Sequence, residues 1–244
     1  KKIVEENIFR VFGNQIDSKQ ITKSMWSNYG KTFVEYLFLK KYRDDSFKEK
    51  QIEIKGLETL IKIKKNKNPV IFISGHFANF ELMSMELTKN EVNLATIYRP
   101  LNNIFVNPFM EFLRKKFICK NQIKKGISGI RDSMEYLKNK HSIALMIDQR
   151  LSEGKKLPFF KEGALTTTLP AQLALKYNCD IVPVYLKRNS NDTFELEIYN
   201  PIDVSKMDKN ENSKINISLE LNKIIEKMIL KNPGQWIWTH NRWK

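Results

Sequence analysis

Two rhythms of apolar and polar positions alternate along the chain. "VIFIS" (70–74) and "SIALMID" (142–148) are continuous apolar runs of strand length, the pattern of strands buried on both faces of a sheet. Around them the pattern predicts further strands at 51–56, 92–99, near "FICK" (117–120), at "DIVPVYLK" (180–187) and at "TFELEIY" (193–199). Helical spacing falls between them: at 57–68, after Asn79, at about 103–116, 127–139, near 168–177, and at 211–230. The stretch after Asp148, up to the helix near 168, reads as loop. Strands alternating with helices imply an α/β fold, a mixed and mostly parallel sheet covered by helices on both faces. No internal repeat or low-complexity linker divides the chain, so residues 1–244 are expected to form one domain.

Residues 1–47 read as amphipathic helix, with Met25, Tyr29, Phe33, Tyr36 and Leu37 at three-to-four spacing and lysines on the other side. The favoured reading packs this segment on the main domain. The alternative lays it on anionic lipid with its aromatic residues at the interface.

Composition narrows the picture. A 244-residue chain that is 41% hydrophobic and 11% aromatic can bury a substantial core. Its two cysteines, Cys119 and Cys179, stand in no metal or redox spacing, which suggests a reducing compartment without disulfides. No run approaches the roughly 20 apolar residues of a membrane-spanning helix, and no signal-peptide pattern is present. The chain begins with Lys and not Met, which leaves open an anchor or targeting segment upstream of it. The charge points outward: 42 Lys and Arg against 27 Asp and Glu give a formal +15, suited to an acidic partner. Nucleic acid, an anionic membrane face and an acidic carrier protein all qualify. The stretches "KIKKNKN" (62–68) and "RKKFICKNQIKK" (114–125) are ordinarily solvated faces, and alternatively a docking surface for such a partner.

The chemistry begins at "SGHFANFE" (74–81). His76, one of three histidines, falls at the carboxyl end of a strand, where α/β sheets gather ligands. Five residues within one helix lie about 140° apart, so His76 and Glu81 meet only if His76 is still in the loop and Glu81 is in the first helical turn. Gly75 permits a sharp turn and Asn79 is a candidate helix cap, which allows that arrangement. On this reading Glu81 orients the ring and raises the basicity of its free nitrogen, which removes a proton from a substrate hydroxyl. A structural reading stands beside it, because a carboxylate near a helix N-terminus is favoured by the helix dipole. There is no G-x-S-x-G elbow and no second His at zinc-protease spacing. The dyad would therefore activate a bound substrate without a covalent enzyme intermediate or a metal. Asp148, after the apolar run, is either an orienting acid or a turn cap; Arg99, at a strand end, is either an anion clamp or an ordinary ion pair. His141 reads as a turn residue. Trp236, Trp238 and Trp243, with His240 among them, read as a cluster that locks the tail onto the domain.

Five stretches in order, "GHFANFE", "IYRP" (97–100), "KKGISGI" (124–130), "MIDQR…LPFFKEGALTTT" (146–168) and "GQWIWTHNRWK" (234–244), resemble the bacterial lipid A late acyltransferases, the lauroyl and myristoyl transferases of lipopolysaccharide assembly. The resemblance covers roughly residues 20–244. It implies a glycerolipid-acyltransferase-like fold and places the H-x4-D/E catalytic pair on His76 and Glu81. It makes Arg99, Asn79, Lys125, Asp148 and Gln149 the substrate-binding candidates. It also implies an acyl carrier protein as donor, a lipid A precursor as acceptor, no cofactor, and a site of action at the cytoplasmic face of the inner membrane through an N-terminal anchor. The chain departs from the family at Ala78, where many members have Gly, at Lys125, where Arg is frequent, at Leu169-Pro170, and at Gly163, which falls two positions late. A lysophospholipid acyltransferase sharing the same dyad is the nearest alternative. A nucleic-acid-binding domain is disfavoured, since no binding motif is present and the aromatic residues fall in strands.

Overall fold

A computed structural model of the chain describes residues 2–244. The N-terminal segment is helical but broken. α1 (Lys2–Phe12) is followed by α2 (Ser18–Glu35), whose first turn is capped by Asp17 accepting from the Lys19 and Gln20 amides. A 3-10 turn (Tyr36–Phe38) then leads into α3 (Leu39–Arg43). The remaining elements follow as β1 (Ile52–Lys55), α4 (Leu57–Asn66), β2 (Ile71–Ser74), α5 (Glu81–Lys89), β3 (Leu94–Tyr98), α6 (Val106–Leu113), β4 (Asn121–Lys124), α7 (Ile127–Lys138), β5 (Ser142–Met146), β6 (Lys155–Phe159), β7 (Glu162–Thr166), α8 (Leu169–Tyr177), β8 (Ile181–Arg188), β9 (Phe194–Ile198) and α9 (Glu211–Lys231).

Seven strands form one sheet in the order β1-β9-β8-β2-β5-β3-β4. The five from β8 to β4 run parallel; β9 pairs antiparallel with β8, and β1 runs parallel to β9. The central strands are apolar on both faces because both are covered. Along β2, Ile71 and Ile73 face a core shared with α1, α8, α9 and the C-terminal tail, while Val70 and Phe72 face a second core shared with α3 and α5. This is the mixed, mostly parallel, helix-covered sheet that the pattern predicts.

Three sequence expectations shift. The apolar residues of "FICK" sit in a wide π turn (Arg114–Ile118) that prolongs α6, with Phe117 and Ile118 packed on the second core; the strand begins at Asn121. The predicted loop after Asp148 contains an antiparallel hairpin, β6–β7, that buries Leu157, Phe159, Ala164 and Thr166 and turns Lys155, Lys156 and Pro158 to solvent. The N-terminal segment does pack on the domain, through Val4, Ile8, Ile21 and Met25, yet of the proposed stripe Tyr29, Phe33 and Leu37 are exposed. Among the described residues no helix is long and apolar enough to cross a membrane.

Candidate active site

β2 and β5 are neighbouring parallel strands in a register that pairs Ser74 with Met146. Two residues beyond each strand end stand His76 and Asp148, so the pairing that builds the sheet also delivers an imidazole and a carboxylate to one spot. His76 Nδ1 lies 2.8 Å from Asp148 Oδ1. Asp148 Oδ2 accepts two further hydrogen bonds, from the His76 backbone N–H at 2.9 Å and from the Trp236 indole N–H at 2.8 Å. A carboxylate receiving Nδ1 places the ring proton there and leaves Nε2 as the acceptor.

Asp148 is almost fully buried. Burial alone would raise its pKa, but the charge of His76 and the three donors override it and hold the carboxyl at about 2. Arg242 is fully buried and, among the described residues, forms no ion pair; its guanidinium is bonded to the Leu165 carbonyl and the Thr166 hydroxyl and stacked over Phe159. Desolvation lowers the Arg242 pKa to about 10, with the Asp148 charge opposing that shift.

The loop needs its small residues for definite reasons. A Cβ on Gly75 would meet the Phe77 ring at 2.8 Å and Asp148 Cβ at 3.2 Å, so Gly75 is required for close approach of the carboxylate. Ala78 adopts φ +45°, the left-handed region where glycine is unstrained. Phe80 closes one side of His76, edge-on at 4.7 Å.

Glu81 opens α5, as expected, but its carboxylate does not meet His76. Glu81 Oε1 accepts from Arg114 Nε at 2.9 Å and Nη2 at 2.5 Å, and from the Tyr36 hydroxyl. The physical cause is a buried guanidinium: Arg114, at the end of α6, is 9% exposed and needs a counter-charge, which Glu81, 8% exposed, supplies. Desolvation opposes the Arg114 charge, yet Glu81 and Tyr36 raise its pKa above the ordinary value; Tyr36 is itself pushed up by burial and then by Glu81. Asn79 also departs from expectation. Phe80, not Asn79, precedes α5, and the Asn79 side chain is buried, donating to Glu35 at 2.9 Å, while Glu35 pairs with Arg188. Both residues thus tie α2 and its following turn to the His76 loop.

The remaining candidates lie at the strand ends. Gln149 Nε2 is 3.3 Å from both ring nitrogens of His76, bisecting them rather than aligning on one. Arg99 and Lys125 follow β3 and β4; both are exposed, and the Lys125 backbone N–H donates to Tyr98 O, one residue before Arg99. Partial desolvation and the nearby Arg99 charge lower the Lys125 pKa, and among the described residues neither cation forms an ion pair. Sequence reasoning missed two members. His240 has its ring centroid 6.3 Å from that of His76, and its pKa is lowered by desolvation and then by His76. Arg114 was visible only as part of a lysine-rich run. Trp236 and Trp238 are fully buried, so the tail is locked down as expected, and it also carries a donor into the site. His141 is a turn residue, its ring against the Asn139 carbonyl.

The arrangement provides an oriented base with a free Nε2, an amide donor beside it and two unpaired cations at neighbouring strand ends. Comparisons with known proteins identify the family. The family model for bacterial lipid A biosynthesis acyltransferases matches residues 1–244. A lipid A biosynthesis palmitoleoyltransferase of Escherichia coli (strain K12) is 27% identical over 207 residues, which cover 82% of this chain and 64% of that protein. A lipid A biosynthesis acyltransferase of Shigella flexneri matches with the same identity and coverage. A lipid A biosynthesis lauroyltransferase of Escherichia coli (strain K12) is 24% identical over 196 residues, 79% of this chain and 61% of that protein. The chain thus spans less than two thirds of the length of these relatives. On the match along its whole length, the chain belongs to the bacterial lipid A biosynthesis acyltransferase family.

Proposed function

We propose that the protein transfers a fatty acyl chain from an acyl carrier protein thioester to a hydroxyl of a lipid A precursor, with His76 as general base. The observation that carries this reading is the His76–Asp148 pair, which leaves Nε2 as acceptor at the carboxyl ends of the parallel strands. Nε2 takes the acceptor's hydroxyl proton as its oxygen attacks the thioester carbonyl. The imidazolium that forms is stabilised by Asp148, which stays ionised. Donors at the start of α5, or a cationic side chain, stabilise the tetrahedral oxyanion. The C–S bond then breaks, the ester is formed, and the imidazolium returns its proton to the departing thiolate. Transacylation changes no oxidation state, so the scheme calls for no redox cofactor.

In this reading Glu81 is a positioning residue. Bonded to Arg114 and Tyr36, it fixes the first turn of α5 and therefore the loop that presents His76. Arg99 and Lys125 hold an anionic group of a substrate, and Gln149 faces the reacting atoms. The charge of +15 suits an acidic carrier protein and an anionic membrane surface, and the proposed place of action is the cytoplasmic face of the inner membrane.

The test is transfer from a labelled acyl carrier protein to a lipid A precursor in mixed micelles, with lysophosphatidic acid as a competing acceptor. His76→Ala is expected to abolish transfer, and Asp148→Asn to lower kcat by about 10³–10⁴, the scale seen when an orienting carboxylate is lost. Undiminished transfer by His76→Ala refutes the mechanism. Preference for the lysophospholipid refutes the acceptor.

A further inference from the structure

The crossover between β3 and β4 carries a dense exposed apolar surface. Phe105 is 85% exposed, Ile104 75%, Phe109 58% and Phe112 55%. Residues 105, 109 and 112 share one outward stripe of α6, whereas Met110 alone of that helix is buried. Ile127, at the start of α7 just past β4, is likewise 78% exposed. Single exposed apolar residues are ordinary, but a contiguous group of bulky ones marks an interaction surface.

What covers this surface is indicated by charge. Residues 99–131 contain eight lysines and arginines against the single acid Glu111, and the Glu111 carboxylate is already engaged by Tyr98 and Asn107. Lys116 lies over the rings of Phe112 and Phe117, so cations border the aromatic stripe directly. Aromatic side chains flanked by lysines are the composition of a helix lying in the interface of an anionic bilayer. The position agrees. α6 runs into Arg114, the partner of Glu81, and the crossover begins at the end of β3 that carries Arg99, beside Lys125 at the same end of the parallel strand β4.

We propose that the β3–β4 crossover, led by α6, is the surface that inserts into an anionic lipid leaflet, setting the mouth of the His76 site against the headgroups. A lipid acceptor then reaches His76 from within the leaflet. Only this last step rests on the proposed acyl transfer; the insertion itself does not.

The test is co-sedimentation of the protein with phosphatidylcholine vesicles, with and without phosphatidylglycerol. The triple variant Phe105→Ser/Phe109→Ser/Phe112→Ser is compared with a control, Leu230→Ser, an equally exposed residue on α9. The triple variant is expected to lose roughly tenfold or more of its partitioning, and the control none. Lys115→Gln/Lys116→Gln is expected to reduce the preference for anionic vesicles. Because all the substituted side chains are exposed, circular dichroism and Tm should be unchanged. Full vesicle binding by the folded triple variant overturns the proposal. So does a concentration-dependent dimer, seen by sedimentation velocity, that the triple substitution dissolves. Vesicle binding is read without an acyl donor, so an absence of transfer activity leaves this result standing.

Discussion

Replacing Arg114 by Met leaves the Glu81 carboxylate, 8% exposed, with the Tyr36 hydroxyl as its remaining side-chain donor. Removing one member of a buried ion pair strands the other charge, at a cost of about 3–5 kcal/mol. Glu81→Gln strands the guanidinium of Arg114 and is expected to cost a similar amount. For a chain of this length, 1 kcal/mol corresponds to about 2–4 °C, so each single variant should lose roughly 6–20 °C in Tm. The double variant Glu81→Gln/Arg114→Met leaves no stranded charge and should be more stable than additivity requires, with a coupling energy of about 2–3 kcal/mol. The assay is urea denaturation of the four proteins, followed by fluorescence of the buried Trp236 and Trp238. If either single variant lies within about 0.5 kcal/mol of the parent, or the double is strictly additive, the pair does not clamp the loop and the positioning role of Glu81 fails.

Other predictions probe the carboxylate and its setting. Asp148 is held at about 2 against an ordinary 3.8, so its ionised form favours the folded state by about 2 kcal/mol. That contribution is complete above pH 4 and is lost as pH falls through 2; Asp148→Asn should flatten acid unfolding in that window, and an unchanged acid limb would contradict the assignment. Trp236→Phe removes one of the three donors to Asp148 and should lower kcat severalfold and, by raising the Asp148 pKa, move acid unfolding to higher pH; unchanged acid unfolding would contradict it. Gly75→Ala forces the Phe77 ring and Asp148 apart and should cost activity well beyond its effect on Tm. Burial raises the thiol pKa of Cys179 to about 12 and pushes that of Cys119 upward, so alkylation by iodoacetamide should be slow until the protein unfolds; rapid labelling of the native protein would show that the thiols are accessible.

The fold was legible where the apolar pattern had one interpretation. "VIFIS" and "SIALMID" are apolar on both faces, and only strands covered on both sides accommodate that. The β6–β7 hairpin was hidden because its buried positions, Leu157, Phe159, Ala164 and Thr166, alternate with charged or small residues across a short turn in which Phe160 adopts φ +54°. At the site, the strand-end positions of His76 and Asp148 could be read from sequence, but their contact could not. That contact follows from the β2–β5 register, a long-range fact that the local pattern does not contain. Nearness in sequence pointed to Glu81 instead. What diverted Glu81 was Arg114, 33 residues away, whose burial needs a counter-charge. His240 was read as part of an aromatic cluster because the tail returns to the site only through tertiary packing, by the bridge between Phe77 and Trp236.

The central claim is that Asp148, and not Glu81, fixes the tautomer of His76. The most direct measurement is nitrogen-15 NMR of histidine-labelled protein at a pH where the ring is neutral, with the His76 signals assigned from His76→Ala. The account predicts a protonated Nδ1 and an unprotonated Nε2, a pattern kept in Glu81→Gln and lost in Asp148→Asn. If Glu81→Gln erases the pattern and Asp148→Asn preserves it, the account is contradicted.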